Sequence, residues 1–197
     1  MPSTPRRVGV LGGTFDPPHI GHLVAAVNAR HDLDLDVVLL VVAGEPWQKV
    51  GTRDITSAAD RLAMAQAAVE GTPGVEVSDI EVRRAGPSYT VETLEALRAE
   101  DPGAELFLIV GSDVAADLDS WERVDEIRSL TSLVVVTRPG AEPPALPGWR
   151  SIVLTIPALD ISSTELRARA AQGRPLDHLV PAGAFRCLRE RGLYAGR

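Results

Sequence analysis

Six apolar residues stand in a row, Val37-Val38-Leu39-Leu40-Val41-Val42, inside a strand-like segment at 36–43. A strand with one face in water alternates apolar and polar residues. An unbroken run of valine and leucine reads instead as a parallel strand buried on both faces. Such a strand needs helices above and below it, and the rest of the chain offers them. Further strand-like runs lie at 7–11, 75–82, 105–110, 132–137 and 151–156. Helical patterns fill the gaps at 20–31, 57–70, 91–100, 121–129, 164–172 and 182–191. The alternation predicts an α/β fold, a doubly wound parallel sheet with helices on both faces. A length of 197 residues suits one domain, with a helical C-terminal part from about 162 to 197. Ligands of such sheets bind at the carboxyl ends of the strands, near the point where strand order reverses. The loops that follow strands are therefore where chemistry is expected.

Two loops exceed the usual connection length and are expected to be functional or mobile. Loop 44–56 carries Pro46, Trp47 and Lys49, and loop 138–150 carries Pro139, Pro143, Pro144 and Pro147.

The net charge of -7 argues against a general nucleic-acid partner, which usually needs a basic face. A phosphate ligand must then be met by a few placed groups. Cys187 is the one cysteine, so no intrachain disulfide can form and a reducing compartment fits. Its neighbours Phe185, Leu188 and Leu193 suggest a buried helical thiol. Residues 1–7 hold no apolar signal core, and no stretch nears the ~20 apolar residues that span a bilayer. A cytoplasmic location is expected, with no membrane partner.

Behind the first strand comes Gly12-Gly13-Thr14-Phe15-Asp16-Pro17-Pro18-His19-Ile20-Gly21-His22. Paired glycines let backbone turn tightly and approach a ligand, yet they match neither the dinucleotide fingerprint nor the Walker pattern. Pro17 and Pro18 suit a helix entry. His19 and His22, three residues apart, share one face near a helix N-terminus whose free N–H groups already favour an anion. The competing readings are one capping and one surface histidine, or a zinc site for which no third ligand is nearby.

Near the other end stands Ile161-Ser162-Ser163-Thr164-Glu165-Leu166-Arg167, after the last expected strand. Ser162 with Glu165 has capping-box spacing. Three consecutive hydroxyls exceed the needs of one cap, and Arg167 stands one turn in, placed to fork onto phosphate oxygens. Two helix starts of this kind look like a clamp on a polyphosphate.

Together these two motifs closely resemble the bacterial nicotinate-nucleotide adenylyltransferases, members of the HxGH nucleotidyltransferases. The resemblance runs from about Val8 to Tyr194. Ser88-Tyr89-Thr90 resembles the family's SYT segment. Gly111-Ser112-Asp113 with Leu118 and Trp121 resembles its G-x-D…L…W stretch, and Val180-Pro181 with Leu193-Tyr194 its C-terminal helix and tail. In one place the chain departs: the family often shows Pro-His-Lys where Trp47-Gln48-Lys49 stands, so Lys49 fits and Gln48 does not.

The resemblance implies a Rossmann-like nucleotidyltransferase fold and a set of roles. Gly12, Gly13, Thr14 and Phe15 would line the ATP site, with His19 and His22 on the phosphates. Gly111 and Asp113 would hold the adenosine, and Ser162, Ser163, Thr164 and Arg167 would take the β- and γ-phosphates. On the acceptor side it implies Asp16, Lys49, Thr90, Trp121 and Arg138, with Thr90 at the nicotinate carboxylate and Trp121 stacked on the pyridine ring. His19, His22, Lys49 and Arg167 would be the catalytic set. ATP and nicotinic acid mononucleotide are the implied substrates, with Mg²⁺ carried by ATP phosphates and no dedicated protein metal site. A homo-oligomer is compatible with the sequence. Competing functions are a phosphopantetheine adenylyltransferase, which shares the His19/His22 motif, a Rossmann-type NAD-dependent oxidoreductase, and a non-catalytic nucleotide-binding regulator.

Overall fold

The computed structural model describes residues 4–46 and 55–194. Six parallel strands form one sheet in the order β3-β2-β1-β4-β5-β6. They are β1 Arg7–Gly13, β2 Val37–Val42, β3 Val75–Ser78, β4 Glu105–Gly111, β5 Thr131–Thr137 and β6 Ser151–Thr155. The apolar run is β2, with five of its six residues buried, between β1 and β3. Order reverses between β1 and β4, where Val8 pairs with Leu106 and Val10 with Leu108. That switch point opens a crevice at the strand ends, and it sets Gly12 and Gly13 opposite Gly111.

Helices α1 Ile20–Asp32, α2 Ala58–Val69, α3 Thr90–Glu100, α6 Ser163–Ala171 and α7 Ala182–Glu190 join the strands or follow the sheet. Two short helices, α4 Ser112–Ala115 and α5 Val124–Leu130, flank a 3-10 turn at Leu118–Ser120. One buried cluster joins β1, β4 and β5 to α3 and includes Leu94, Leu108, Leu118 and Ile127. A second, on the other side, holds Ala26, Ala29, Val38, Leu40 and Phe107. A third packs α2 against α6 and α7 through Met64, Leu166 and Leu188, with the half-buried free thiol Cys187 at its margin.

Two expectations need correction, and one loop gains structural detail. Helix 121–129 begins only at Val124, because Trp121 leaves the 3-10 turn extended and Arg123 takes a left-handed φ of 52°. Strand 75–82 stops at Ser78, since the chain turns back with the Arg83 N–H donating to the Asp79 carbonyl at 2.9 Å. Loop 138–150 is anchored: Leu146 and Trp149 pack on the first cluster, and Arg128 lies 5.2 Å from the Trp149 ring centre. Among the described residues no helix is long and apolar enough to cross a membrane.

Candidate active site

The first motif leaves the end of β1 and closes on the start of α1. Phe15 has a left-handed φ of 50° and turns its ring inward beneath Gly13, where an added Cβ would lie 2.9 Å from the ring. Phe15 is thus a floor of the loop, 2% exposed. His19 is the N-cap residue of α1 and His22 its third residue. The His19 main-chain N–H donates to His22 Nδ1 at 3.0 Å. The rings stack with centres 3.7 Å apart, and Phe15 meets His22 edge-on at 4.9 Å. Because His22 Nδ1 is an acceptor, a neutral His22 ring carries its proton on Nε2. Burial lowers the His19 pKa from 6.5 to about 4, so this ring is neutral at pH 7. The pair therefore offers hydrogen-bond donors, not two positive charges.

Gly21 stands where α1 meets the second motif. A Cβ there would meet His19 Nδ1 at 3.0 Å and Ile161 Cγ2 at 3.2 Å. The missing side chain makes room for the second motif to press onto α1.

That second motif is bonded to the first. Ser163 Oγ donates to the Pro17 carbonyl at 2.8 Å, and Arg167 Nη1 donates to the Asp16 carbonyl at 2.7 Å. Arg167 Nη2 also reaches Thr164 Oγ1 at 3.1 Å. Ser162 caps α6, accepting from the Glu165 N–H at 3.2 Å, as its spacing predicts. Ser162 and Thr164 are exposed. The two helix N-termini thus stand side by side.

A cavity of about 320 Å³ runs from the first motif toward α3 and the 3-10 turn. Of the residues given site roles from the sequence, Gly12, Gly13, Thr14, His22, Thr90, Gly111 and Trp121 line it. The Trp121 indole N–H is buried and has no hydrogen-bond partner among the described residues. Asp113 stands exposed at the mouth, its carboxylate over Gly111. Two expected acceptor residues lie elsewhere. Asp16 is buried, and its carboxylate accepts from the Tyr194 hydroxyl at 2.5 Å. Burial and that neighbouring carboxylate push the Tyr194 phenol well above its ordinary pKa. Arg138 stands at the end of β5, 3.7 Å from Asp160, on the side of the hydroxyl-rich turn. Lys49 and Gln48 lie outside the described residues.

Two buried charged side chains escape a reading of motifs. Arg61 of α2 is 1% exposed and donates to four carbonyls: Thr14 at 2.9 Å, Ala43 at 2.6 Å, Gly44 at 2.9 Å and Thr56 at 2.9 Å. Its signal is positional, since it shares the buried face of α2 with Met64, Ala65 and Ala68. Glu81 lines the cavity, 8% exposed, and accepts from Thr93 Oγ1 at 2.6 Å. Burial raises its pKa, against hydrogen bonds from Thr93 and Ser88 that lower it. No periodicity marks it.

Comparison with known proteins agrees with this geometry. Residues 10–169 match the cytidylyltransferase-like family. A protein of Acidothermus cellulolyticus described as a probable nicotinate-nucleotide adenylyltransferase is 46% identical, over 95% of this chain and 94% of its own length. One of Streptomyces coelicolor with the same description is 45% identical, over 94% of this chain and 100% of its own. In fold, the chain is similar to Plasmodium falciparum nicotinic acid mononucleotide adenylyltransferase complexed with APC. The TM-score there is 0.77 at 16% identity, covering 96% of this chain and 97% of the other. With the sheet order, the paired helix starts and full-length relatives in agreement, the chain belongs to the nicotinate-nucleotide adenylyltransferases of the cytidylyltransferase-like family.

Proposed function

We propose that this protein transfers the adenylyl group of ATP to nicotinic acid mononucleotide, giving nicotinic acid adenine dinucleotide and pyrophosphate. One observation carries the reading: the second helix start is bonded onto the first, Ser163 to Pro17 and Arg167 to Asp16, at the edge of a cavity that continues to Thr90 and Trp121. A triphosphate at the paired helix ends leaves its α-phosphorus next to that cavity. The structural relative complexed with NaAD, a TM-score of 0.76 away, accords with a dinucleotide spanning both ends.

The acceptor's phosphate oxygen is the nucleophile. A phosphate monoester is largely dianionic at pH 7, its second pKa being about 6, so no general base is required. The oxygen attacks the α-phosphorus in line, the bond to the β-phosphate's bridging oxygen breaks, and pyrophosphate leaves. Catalysis is then positioning and charge stabilisation. His22 Nε2–H and the His19 ring donate to the phosphates, Arg167 and the N-termini of α1 and α6 hold the leaving pyrophosphate, and Lys49 reaches the reacting groups. Gly12, Gly13, Thr14, Gly111 and Asp113 bound the nucleoside, while Ser162 and Thr164 add hydroxyls to the β- and γ-phosphates. Among the described residues no three His, Cys, Asp or Glu side chains gather in ligand range. A Mg²⁺ would be held chiefly by triphosphate oxygens and water, and there it would offset phosphate charge. A cytoplasmic location follows from the lone thiol and the substrates.

At the acceptor end, Trp121 faces the pyridine ring and the start of α3 at Thr90 faces its carboxylate. Tyr89 is the N-cap of α3, and the main-chain amides of the first turn are the donors assigned to an anion. Donors favour carboxylate over amide, whose NH₂ would oppose another donor. Pyrophosphate release from ATP, followed with nicotinic acid mononucleotide, nicotinamide mononucleotide and phosphopantetheine in parallel, tests the reading. The first acceptor should have the highest kcat/KM. Equal values for the two pyridine nucleotides, or a preference for phosphopantetheine, would remove it.

A further inference from the structure

We propose that Glu81 is a positioning residue for the acceptor: through the hydroxyls of Ser88 and Thr93, its carboxyl holds turn 88–90, at the start of α3, against the acceptor end of the cavity. The inference rests on the reading above and adds a residue to it. Glu81 is buried in the cavity wall, in the turn that follows β3. Thr93, in the first turn of α3, commits its hydroxyl proton to Glu81 Oε1 at 2.6 Å. Ser88 Oγ accepts the N–H groups of Gly44 at 2.9 Å and Glu45 at 3.3 Å. With its oxygen so used, the Ser88 hydroxyl has its proton left to turn toward the Glu81 carboxyl, whose pKa it lowers.

The backbone of Gly44 packs against Glu81 from the same direction. A Cβ at position 44 would lie 2.3 Å from the Glu81 carbonyl oxygen. One carboxyl thus ties together the chain behind β2, turn 88–90 and the first turn of α3. Arg84 bonds Glu92 at 3.2 Å and acts on Glu81 only through its charge, which lowers the Glu81 pKa. What Glu81 does is orient two hydroxyls, and through them the Tyr89 and Thr90 wall. Loss of that order displaces the acceptor's binding surface and leaves the triphosphate site, built from α1 and α6, in place.

The test is steady-state kinetics with both substrates varied, on the parent, Glu81→Ala, Glu81→Gln and Thr93→Val. Glu81→Ala and Thr93→Val should raise KM for nicotinic acid mononucleotide about tenfold or more, with KM for ATP within about twofold and kcat nearly kept, the pattern of lost uniform binding. Glu81→Gln, whose amide oxygen still accepts from both hydroxyls, should recover most of the loss. An unchanged acceptor KM in Glu81→Ala overturns the role, as do equal rises for both substrates or a Gln variant no better than Ala. Should Glu81→Ala fail to fold, the isosteric Thr93→Val decides alone. A parent inert toward nicotinic acid mononucleotide overturns the acceptor reading and this role with it. An active parent with unselective variants overturns the Glu81 role only.

Discussion

The Arg167 guanidinium donates to the main-chain carbonyl of Asp16 at 2.7 Å, closing α6 onto the loop behind β1 across 151 residues of sequence. The bond fixes where the α6 N-terminus stands relative to His19 and His22. It also draws a permanent cation to the joint between the two motifs.

Arg167 is therefore expected to matter more for turnover than for folding. Arg167→Lys keeps the charge and loses the fork, so kcat/KM for ATP should fall by roughly 10- to 100-fold. Arg167→Ala should lose about 100-fold or more, with a stability cost of ~1–2 kcal/mol from the broken carbonyl bond. Kinetics and urea denaturation on the same preparations check both numbers. Normal ATP kinetics in Arg167→Ala would leave Arg167 as a structural tie alone.

The imidazoles give a second prediction. His22 presents Nε2–H because its Nδ1 is occupied by the His19 N–H. His22→Ala and His19→Ala should each lower kcat by ~100-fold or more, the usual cost of a lost transition-state donor. Far-UV circular dichroism should remain that of the parent. Near-normal turnover in both variants would defeat the assignment of α1's start as the reacting centre.

The strands were legible because burial on both faces leaves one mark in a sequence, an unbroken apolar run, and β2 bears it from Val37 to Val42. The helix expected at 121–129 failed for a local reason. Trp121, Val124 and Ile127 keep helical spacing, yet Arg123 adopts a left-handed backbone and turns its guanidinium to Glu95 and Glu126. Periodicity cannot register one residue of inverted φ. In the site, His19 and His22 were legible because one contiguous segment, Gly12 to His22, carries the whole device. Arg61 and Glu81 were not, since their partners at Thr14, Ala43, Ser88 and Thr93 come together only on folding. The bond of Asp16 to Tyr194 was hidden for the same reason: its partner stands 178 residues away.

Burial of His19 makes stability depend on pH in a defined window. Its pKa is about 4 in the folded protein against 6.5 when free. Between those values the unfolded chain binds the extra proton, so stability falls as pH drops through 6.5 and the fall levels off near 4. A depression of that size corresponds to about 3 kcal/mol. His19→Gln lacks this titration. The difference in unfolding free energy between parent and His19→Gln should therefore move by about that amount, against the parent, between pH 7.5 and pH 4. Urea denaturation at the two pH values measures it, and a constant difference would contradict a neutral, buried ring.

Arg61 carries the largest predicted loss of stability. Its guanidinium is 1% exposed and holds carbonyls from the end of β1, the end of β2 and the approach to α2. Arg61→Met fills much of the same space and supplies no donor, so four carbonyl oxygens lose a buried partner. The expected cost is ~3–5 kcal/mol, as for breaking a buried charged network by removing one member. Arg61→Lys has three donors in the wrong geometry and should lie between. A binding consequence follows from the same bonds. Thr14 and Ala43 both line the cavity, and Arg61 draws their carbonyl oxygens inward. Released from it, those oxygens are free to face the triphosphate, where they repel phosphate charge. Arg61→Lys should thus bind ATP more weakly than the parent even at temperatures where both are fully folded, and isothermal titration calorimetry at 10 °C reads this apart from stability. Equal ATP affinity there would confine Arg61 to the packing of α2 beneath the loops.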